Sequence, residues 1–231
     1  MKHQNVEFEG IRIKDPVEET GLTFEGCLFS ACVLGIPCRS PQDRLVLKQM
    51  TLRDCTLDSL IIGPVVFEDC LLENLKTLDL QWVHGAAFKH CIVRGEAGEA
   101  LLFEEKEPLE PRDSKSNAPF IAENQRIYES IDWALDISEA QFHELDIRGV
   151  PAERIRINDR NQIKVNYQRL REAYDAGQLE GAPFSEYIDT CLEDYEDSEM
   201  NFVLVSHPDS PEHDEEMELF QYLRKLGMTF R

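Results

Sequence analysis

Long apolar runs are missing from this 231-residue chain, and so is any excess of positive charge. No stretch of eighteen apolar residues occurs, so no transmembrane helix can be drawn and no membrane partner is expected. The opening Met1-Lys2-His3-Gln4-Asn5 is polar and lacks an apolar h-region, so no signal peptide is read there. Also missing are a phosphate-binding glycine loop, a nucleophile elbow, a His-Glu-x-x-His pair and a Cys-x-x-Cys pair. The sequence therefore assigns no catalytic residue and no cofactor. Seven cysteines, an odd number, fit a reducing cytoplasm better than a disulfide framework.

Negative charge is what the chain has in abundance: 45 Asp and Glu against 24 Lys and Arg, a net charge of -21. Residues 1–95 carry 10 basic and 13 acidic residues, which leaves 14 and 32 to the remainder. Nearly all the imbalance lies in the second part. Such a field disfavours direct contact with nucleic-acid phosphates, where affinity comes from cations displacing counterions. It suits a basic protein partner, and it also serves solubility alone.

Between Leu45 and Leu72 apolar residues fall in pairs two apart, repeated every five residues. The pairs are Leu45/Leu47, Met50/Leu52, Cys55/Leu57, Leu60/Ile62, Val65/Phe67 and Cys70/Leu72. A helix would space them by three and four, and a leucine-rich repeat needs a unit of ~20–29 residues. The pattern resembles the pentapeptide-repeat family over about residues 6–95 and again over 135–150, with a one-residue insertion near His84-Gly85. The resemblance implies a mainly β fold, a right-handed quadrilateral β-helix in which each unit forms one side of a square coil. The central residue and the small residue two before it then point inward. The family favours Asp or Asn just before the centre; Asp136 and Asp146 follow that habit, whereas Val46, Ile61, Val66 and Leu71 do not. Some members imitate DNA toward gyrase-type topoisomerases through an acidic column along the coil. This coil is nearly neutral, so that role does not carry over.

Outward residues one coil apart should stack about 4.8 Å from each other. They read Lys48, Glu68, Lys89 on one side and Glu25, Arg53, Glu73, Arg94 on the next, alternating in sign as neighbouring strands prefer. Cys27, Cys32, Cys55, Cys70 and Cys91 take the inward small position as buried hydrophobes. Cys38, in the loop Ile36–Pro41, is the thiol expected to meet solvent reagents. The residues before each centre give two apolar columns, Val46, Val66, Ala87 and Thr51, Leu71, Ile92. The other two, Thr56, Lys76 and Ile61, Gln81, are more polar. Val46, Val66, Leu71 and Ile92 are expected under cover, beneath the amphipathic helix around Phe184 or against a second subunit in a homodimer.

The chain divides into a β-helix over 1–103, a loop and inserted helix over 104–134, further β-helix strands over 135–150 and an acidic α/β portion over 151–231. Within the second segment Glu104–Asn117 reads as a loop and Pro119–Ala134 as a helix. In the last, Asn166 caps a short helix ending at Gly177, and Phe184, Tyr187, Ile188, Cys191, Leu192 and Tyr195 form an apolar helical stripe. Phe202–Val205 reads as a buried strand, and Met217, Phe220, Leu223 and Leu226 as the inner face of a last helix. This portion should lean on the coil.

Two groups of side chains carry possible chemistry. His207 and His213, with Asp209 and Asp214, are candidate ligands for a divalent metal in a Pro-rich acidic turn. Glu186, Asp189, Glu193, Asp194, Glu196 and Asp197 form a candidate interaction surface. Trp82, His84 and His90 read as a packing irregularity near the insertion. The leading functional reading is a non-catalytic scaffold or interaction protein, of the inhibitor or immunity type, for a basic macromolecule. The alternatives are an enzyme with a metal-assisted site between coil and C-terminal portion, and a structural module of a larger assembly.

Overall fold

The computed structural model describes residues 1–13, 18–103, 114–179, 184–196 and 200–230. From Val46 to Glu73 the backbone repeats a unit of five. Short strands span Val46–Lys48, Thr51–Arg53, Thr56–Asp58, Ile61–Ile62, Val66–Glu68 and Leu71–Glu73. Most are separated by a corner residue in the left-handed region: Gln49, Asp54, Ser59, Asp69 and Asn74 all have φ between 51° and 54°. Asp and Asn tolerate that conformation because their short side chains bond locally. Alternation within each strand then sends Leu47, Leu52, Leu57 and Phe67 into the interior, joined by Met50, Cys55, Leu60, Val65 and Cys70. The earlier strands Lys2–Gln4, Glu7–Glu9 and Arg12–Ile13 extend the pattern toward the start of the chain.

These strands stack in parallel, each on the strand about twenty residues later. Val46, Val66 and Ala87 are neighbours in register, as are Thr51, Leu71 and Ile92, and Thr56 and Lys76. The long strand Cys91–Phe103 pairs with both Leu71–Glu73 and Gln81–His84, and so joins two sides of the stack into one sheet. The charged columns are present. Lys48 lies 3.7 Å from Glu68, and Lys89 2.9 Å from it. Glu73 accepts hydrogen bonds from Arg53 and Arg94, which hold its carboxyl below the usual range, Arg53 first.

The lowered carboxyl of Glu73 adds stability above the unfolded carboxylate range, about pH 4.3, and that stability is lost as pH falls through the folded value. Glu73→Lys should accordingly lower the urea midpoint more than Glu9→Lys, on an exposed strand. The gap should narrow in high salt, where exposed charges are screened. Equal midpoints would contradict the stacking of these charges.

One part of the register departs from expectation. Leu57 pairs with Thr77, twenty residues on, but Ile62 pairs with Val83, twenty-one on. The extra residue therefore enters between Thr77 and Trp82, not at His84-Gly85. A slip of one exchanges inside and outside. Gln81 turns inward and is buried, its Oε1 accepting the Leu60 N–H at 3.2 Å. Trp82 takes the outward place beside Ile61, so that side reads Val33, Ile61, Trp82 and is apolar.

The cover over the columns also differs. The helix α1, Ser114–Glu129, packs on Ala87–Lys89 at one end of the first apolar side and on Pro41–Asp43. There Ala87 is fully buried. Arg44, itself buried, donates to Asn124 Oδ1 at 2.7 Å, and its guanidinium sits 5.0 Å from the centre of the Phe120 ring. Asn124 Nδ2 donates in turn to the carbonyls of Gly85 and Ala86. On the second side Leu71 is half-buried and Ile92 is 37% exposed. The helix around Phe184 does not rest on either side; it packs into a separate core. Helix α1 starts at Ser114, although the sequence predicts a loop through Ser114–Asn117, and ends at Glu129. The hydroxyl of Ser130 there closes onto the Ile127 carbonyl at 2.7 Å. Residues 104–113 of the expected loop lie outside the described residues.

Parallel pairing resumes in Leu135–Ile147, which lies along Cys91–Phe103 with register shifts, and ends at Ile155–Arg156. Beyond it an antiparallel sheet orders Phe202–Val205, Gln162–Val165 and Thr229–Phe230. Three helices accompany it: α2 Tyr167–Asp175, α3 Ser185–Asp194 and α4 His213–Lys225. Asn166 Oδ1 accepts the Arg169 N–H at 2.8 Å and caps α2. Ile163, Leu170, Ile188, Phe202, Phe220 and Leu223 fill this second core. The layer closes onto the strand stack through Val203, which belongs to the first core, and through Gln162. The Nε2 of Gln162 donates to the carbonyls of Ile137 at 2.9 Å and Ala140 at 3.2 Å. The protein is thus mainly β, a stack of parallel strands with a C-terminal α/β portion packed against it. Among the described residues no helix is long and apolar enough to cross a membrane.

Candidate functional site

Helix α3 carries the acidic surface. Most of its apolar stripe faces inward: Ile188 and Leu192 are buried, and the residue after the helix, Tyr195, stacks on Phe202 with ring centroids 4.5 Å apart, while Tyr187 stays 42% exposed. The Tyr195 hydroxyl donates to Asp146 Oδ1 at 2.6 Å and to the Ile147 carbonyl at 3.1 Å, fastening the helix to the strand Leu135–Ile147. Burial and the neighbouring Asp146 push the Tyr195 phenol well above its ordinary value. With that face fixed, Glu186, Glu193 and Glu196 are turned to solvent. None of the three makes an ion pair among the described residues. Asp194 is held by Arg148 at 3.0 Å, and Arg148 also pairs with Asp146 at 2.6 Å. Asp189 interacts with the Tyr174 hydroxyl, whose titration it raises. Asp197 lies outside the described residues.

The four expected metal ligands do not come together. His213 opens α4, and its Nδ1 lies 2.6 Å from Ser206 Oγ. Asp209 and Asp214 are exposed. His207 is drawn the other way, toward the strand stack. There it meets Glu96 and His143, whose positions gave no sign in the sequence because they lie 111 and 64 residues earlier on other strands. The Nε2 of His207 is 3.5 Å from Glu96 Oε2, and the Nε2 of His143 is 3.9 Å from the same oxygen. The two imidazoles stack with centroids 3.9 Å apart. His207 is 3% exposed, whereas His143 and Glu96 are open to solvent. His84 and Trp82 stack with centroids 6.2 Å apart. His90 lies apart from them, between Asp69 and Asp132 and against Trp133.

The thiols sit deeper than the sequence suggests. Cys38 is buried and does not stand in solvent, its Sγ lying 3.3 Å from the Ser40 carbonyl of its own loop. Cys27, Cys32, Cys55, Cys70 and Cys91 are buried in the interior. Cys191 is the most accessible, yet burial pushes its thiol up to about 12. In native protein, a small alkylating reagent should therefore modify Cys191 first and slowly, since the thiolate is the nucleophile. The other six should react only on unfolding. Rapid labelling of Cys55 or Cys70, read by peptide mass spectrometry, would contradict the inward register.

Comparison with protein-family models, with curated proteins and with solved structures found no match to this chain.

Proposed function

We propose that the strand stack is a right-handed quadrilateral β-helix of pentapeptide-type repeats, and that the protein is a non-catalytic scaffold whose acidic C-terminal layer binds a basic macromolecule. The five-residue recurrence of left-handed corners supports the first part. The separation of charge carries the second. On the stack, the outward carboxylates Glu68 and Glu73 are each matched by cations on both adjacent strands, Lys48–Glu68–Lys89 and Arg53–Glu73–Arg94. On α3 and just past its end, Glu186, Glu193 and Glu196 stand exposed without an ion-pair partner among the described residues. Unmatched surface charge of one sign steers an oppositely charged partner and raises its association rate. An inhibitor or immunity-type protein, which must find one basic target quickly, works through such a field.

The test is affinity capture with the full chain from lysate of its own source cell, followed by elution in rising salt. One basic protein in stoichiometric amount, released by salt, supports the reading. Retention of nothing above background, or of a partner indifferent to salt, counts against it.

A further inference from the structure

We propose that Glu96, His143 and His207 form a binding site for one divalent transition-metal ion, zinc foremost, at the seam between the strand stack and the C-terminal layer. The three come from separate segments: Glu96 from the strand Cys91–Phe103, His143 from Leu135–Ile147 and His207 from the turn after Phe202–Val205. Glu96 pairs in register with Gln141, which sets His143 two residues along the adjacent strand. The antiparallel sheet brings His207 over both.

The second observation is an unsatisfied atom. His207 is 3% exposed, and its Nε2 has no hydrogen-bond partner. Buried polar nitrogens are almost always bonded, so an orphan of this kind calls for an explanation. It faces Glu96 Oε2 at 3.5 Å, too far for a good hydrogen bond but close to the spacing of two ligands on one metal. Ligand bonds of about 2.0–2.1 Å in a tetrahedral site place donor atoms roughly 3.3 Å apart. The three ligand atoms here lie within 4.8 Å of one another.

The donor set selects the ion. Two imidazoles and one carboxylate suit zinc and its neighbours, whereas magnesium and calcium take oxygen ligands. Three protein ligands leave a fourth position open. Two adjustments accompany binding. The stacked ring of His143 must turn its nitrogen toward the ion, which its half-exposed position allows. The Asp209 N–H donates to His207 Nδ1 at 3.1 Å, so Nε2 carries the ring proton in the metal-free chain. Loading moves the ring hydrogen from Nε2 to Nδ1, releasing no proton from the neutral ring, and opens that contact with Asp209, whose N–H would then face another donor. The site would therefore tie the turn His207–Ser210 to the strand stack.

The experiment is isothermal titration of the full chain, stripped with a chelator, using zinc chloride, with cobalt(II) as a spectroscopic probe and magnesium as the control. We expect one equivalent of zinc, a tetrahedral cobalt spectrum, a rise in Tm with zinc and no response to magnesium. His143→Ala and Glu96→Gln, both at exposed positions that leave the cores intact, should each weaken zinc binding by about tenfold or more and abolish the rise in Tm. His213→Ala should bind as the parent does. Absence of stoichiometric zinc binding overturns the proposal, as does binding unchanged by both ligand variants or lost with His213→Ala.

Discussion

Phe67→Ala should cost about 3–5 kcal/mol of unfolding free energy, the range for truncating a buried aromatic, while Thr51→Ala should stay within about 0.5 kcal/mol. Phe67 is the central residue of its five-residue unit and is buried against the interior, its ring stacked on Phe88 with centroids 5.4 Å apart. It lines both apolar spaces in the interior, about 120 and 340 Å³ in volume. Removing the ring joins those spaces where the hydrogen-bonded strands on either side cannot collapse inward. The cavity contribution is then retained in full, which places the cost toward the upper end of the range. Thr51 is an outward residue on another side of the stack. Urea denaturation of the two variants checks the contrast, and similar midpoints would mean the inward register is wrong.

Asn124→Ala should lower stability by about 1.5–3 kcal/mol, the range for a hydrogen bond to a charged group. The cost arises less from the lost bond than from the cation left behind. Arg44 is buried, and burial already lowers its tendency to hold the proton. Asn124 gives it a 2.7 Å acceptor while binding the Gly85 and Ala86 carbonyls with its other end. The pair fastens α1 to the first side of the stack. Once Asn124 is gone, Arg44 keeps the Phe120 ring and the more distant Phe120 carbonyl at 3.4 Å. Arg44→Met in the Asn124→Ala background should recover part of the loss, because replacing both partners by apolar groups removes the unpaired charge. A double variant less stable than the single one would show that Arg44 is held by something other than Asn124.

The repeat was legible because its signal is local. Five-residue spacing, outward charges and inward cysteines all follow from alternation along short strands. The sequence pattern misplaces Gln81 because an insertion can sit anywhere between two matched units, and only pairing across the stack locates it. The helix around Phe184 goes elsewhere than over Val46 and Val66 for a related reason. Amphipathicity says that a helix has a face to bury, but not which surface receives it. The stripe on α3 found the second core instead, and α1 took the place through one buried Arg–Asn contact spanning 80 residues of sequence. Strand Gln162–Val165 escaped notice since Gln162 and Lys164 are polar yet buried, their places fixed by the sheet and not by an apolar pattern. The Glu96–His143–His207 group is wholly a product of tertiary placement. Sequence reasoning had reached only His207, and had paired it with its neighbours along the chain.

The claim that the acidic layer is the recognition surface meets its most direct test in the dissociation constant of the captured partner for two charge-neutralised forms. One form, the α3 form, is Glu186→Gln, Glu193→Gln on α3 with Glu196→Gln just past its end; the other is Glu7→Gln, Glu9→Gln, Glu18→Gln on the strand stack. At about 0.2–1 kcal/mol for each exposed pair, the α3 form should bind roughly tenfold more weakly at low salt, chiefly through a slower association rate. The stack form should bind like the parent. Unchanged affinity in the α3 form, or a loss confined to the stack form, would contradict the account.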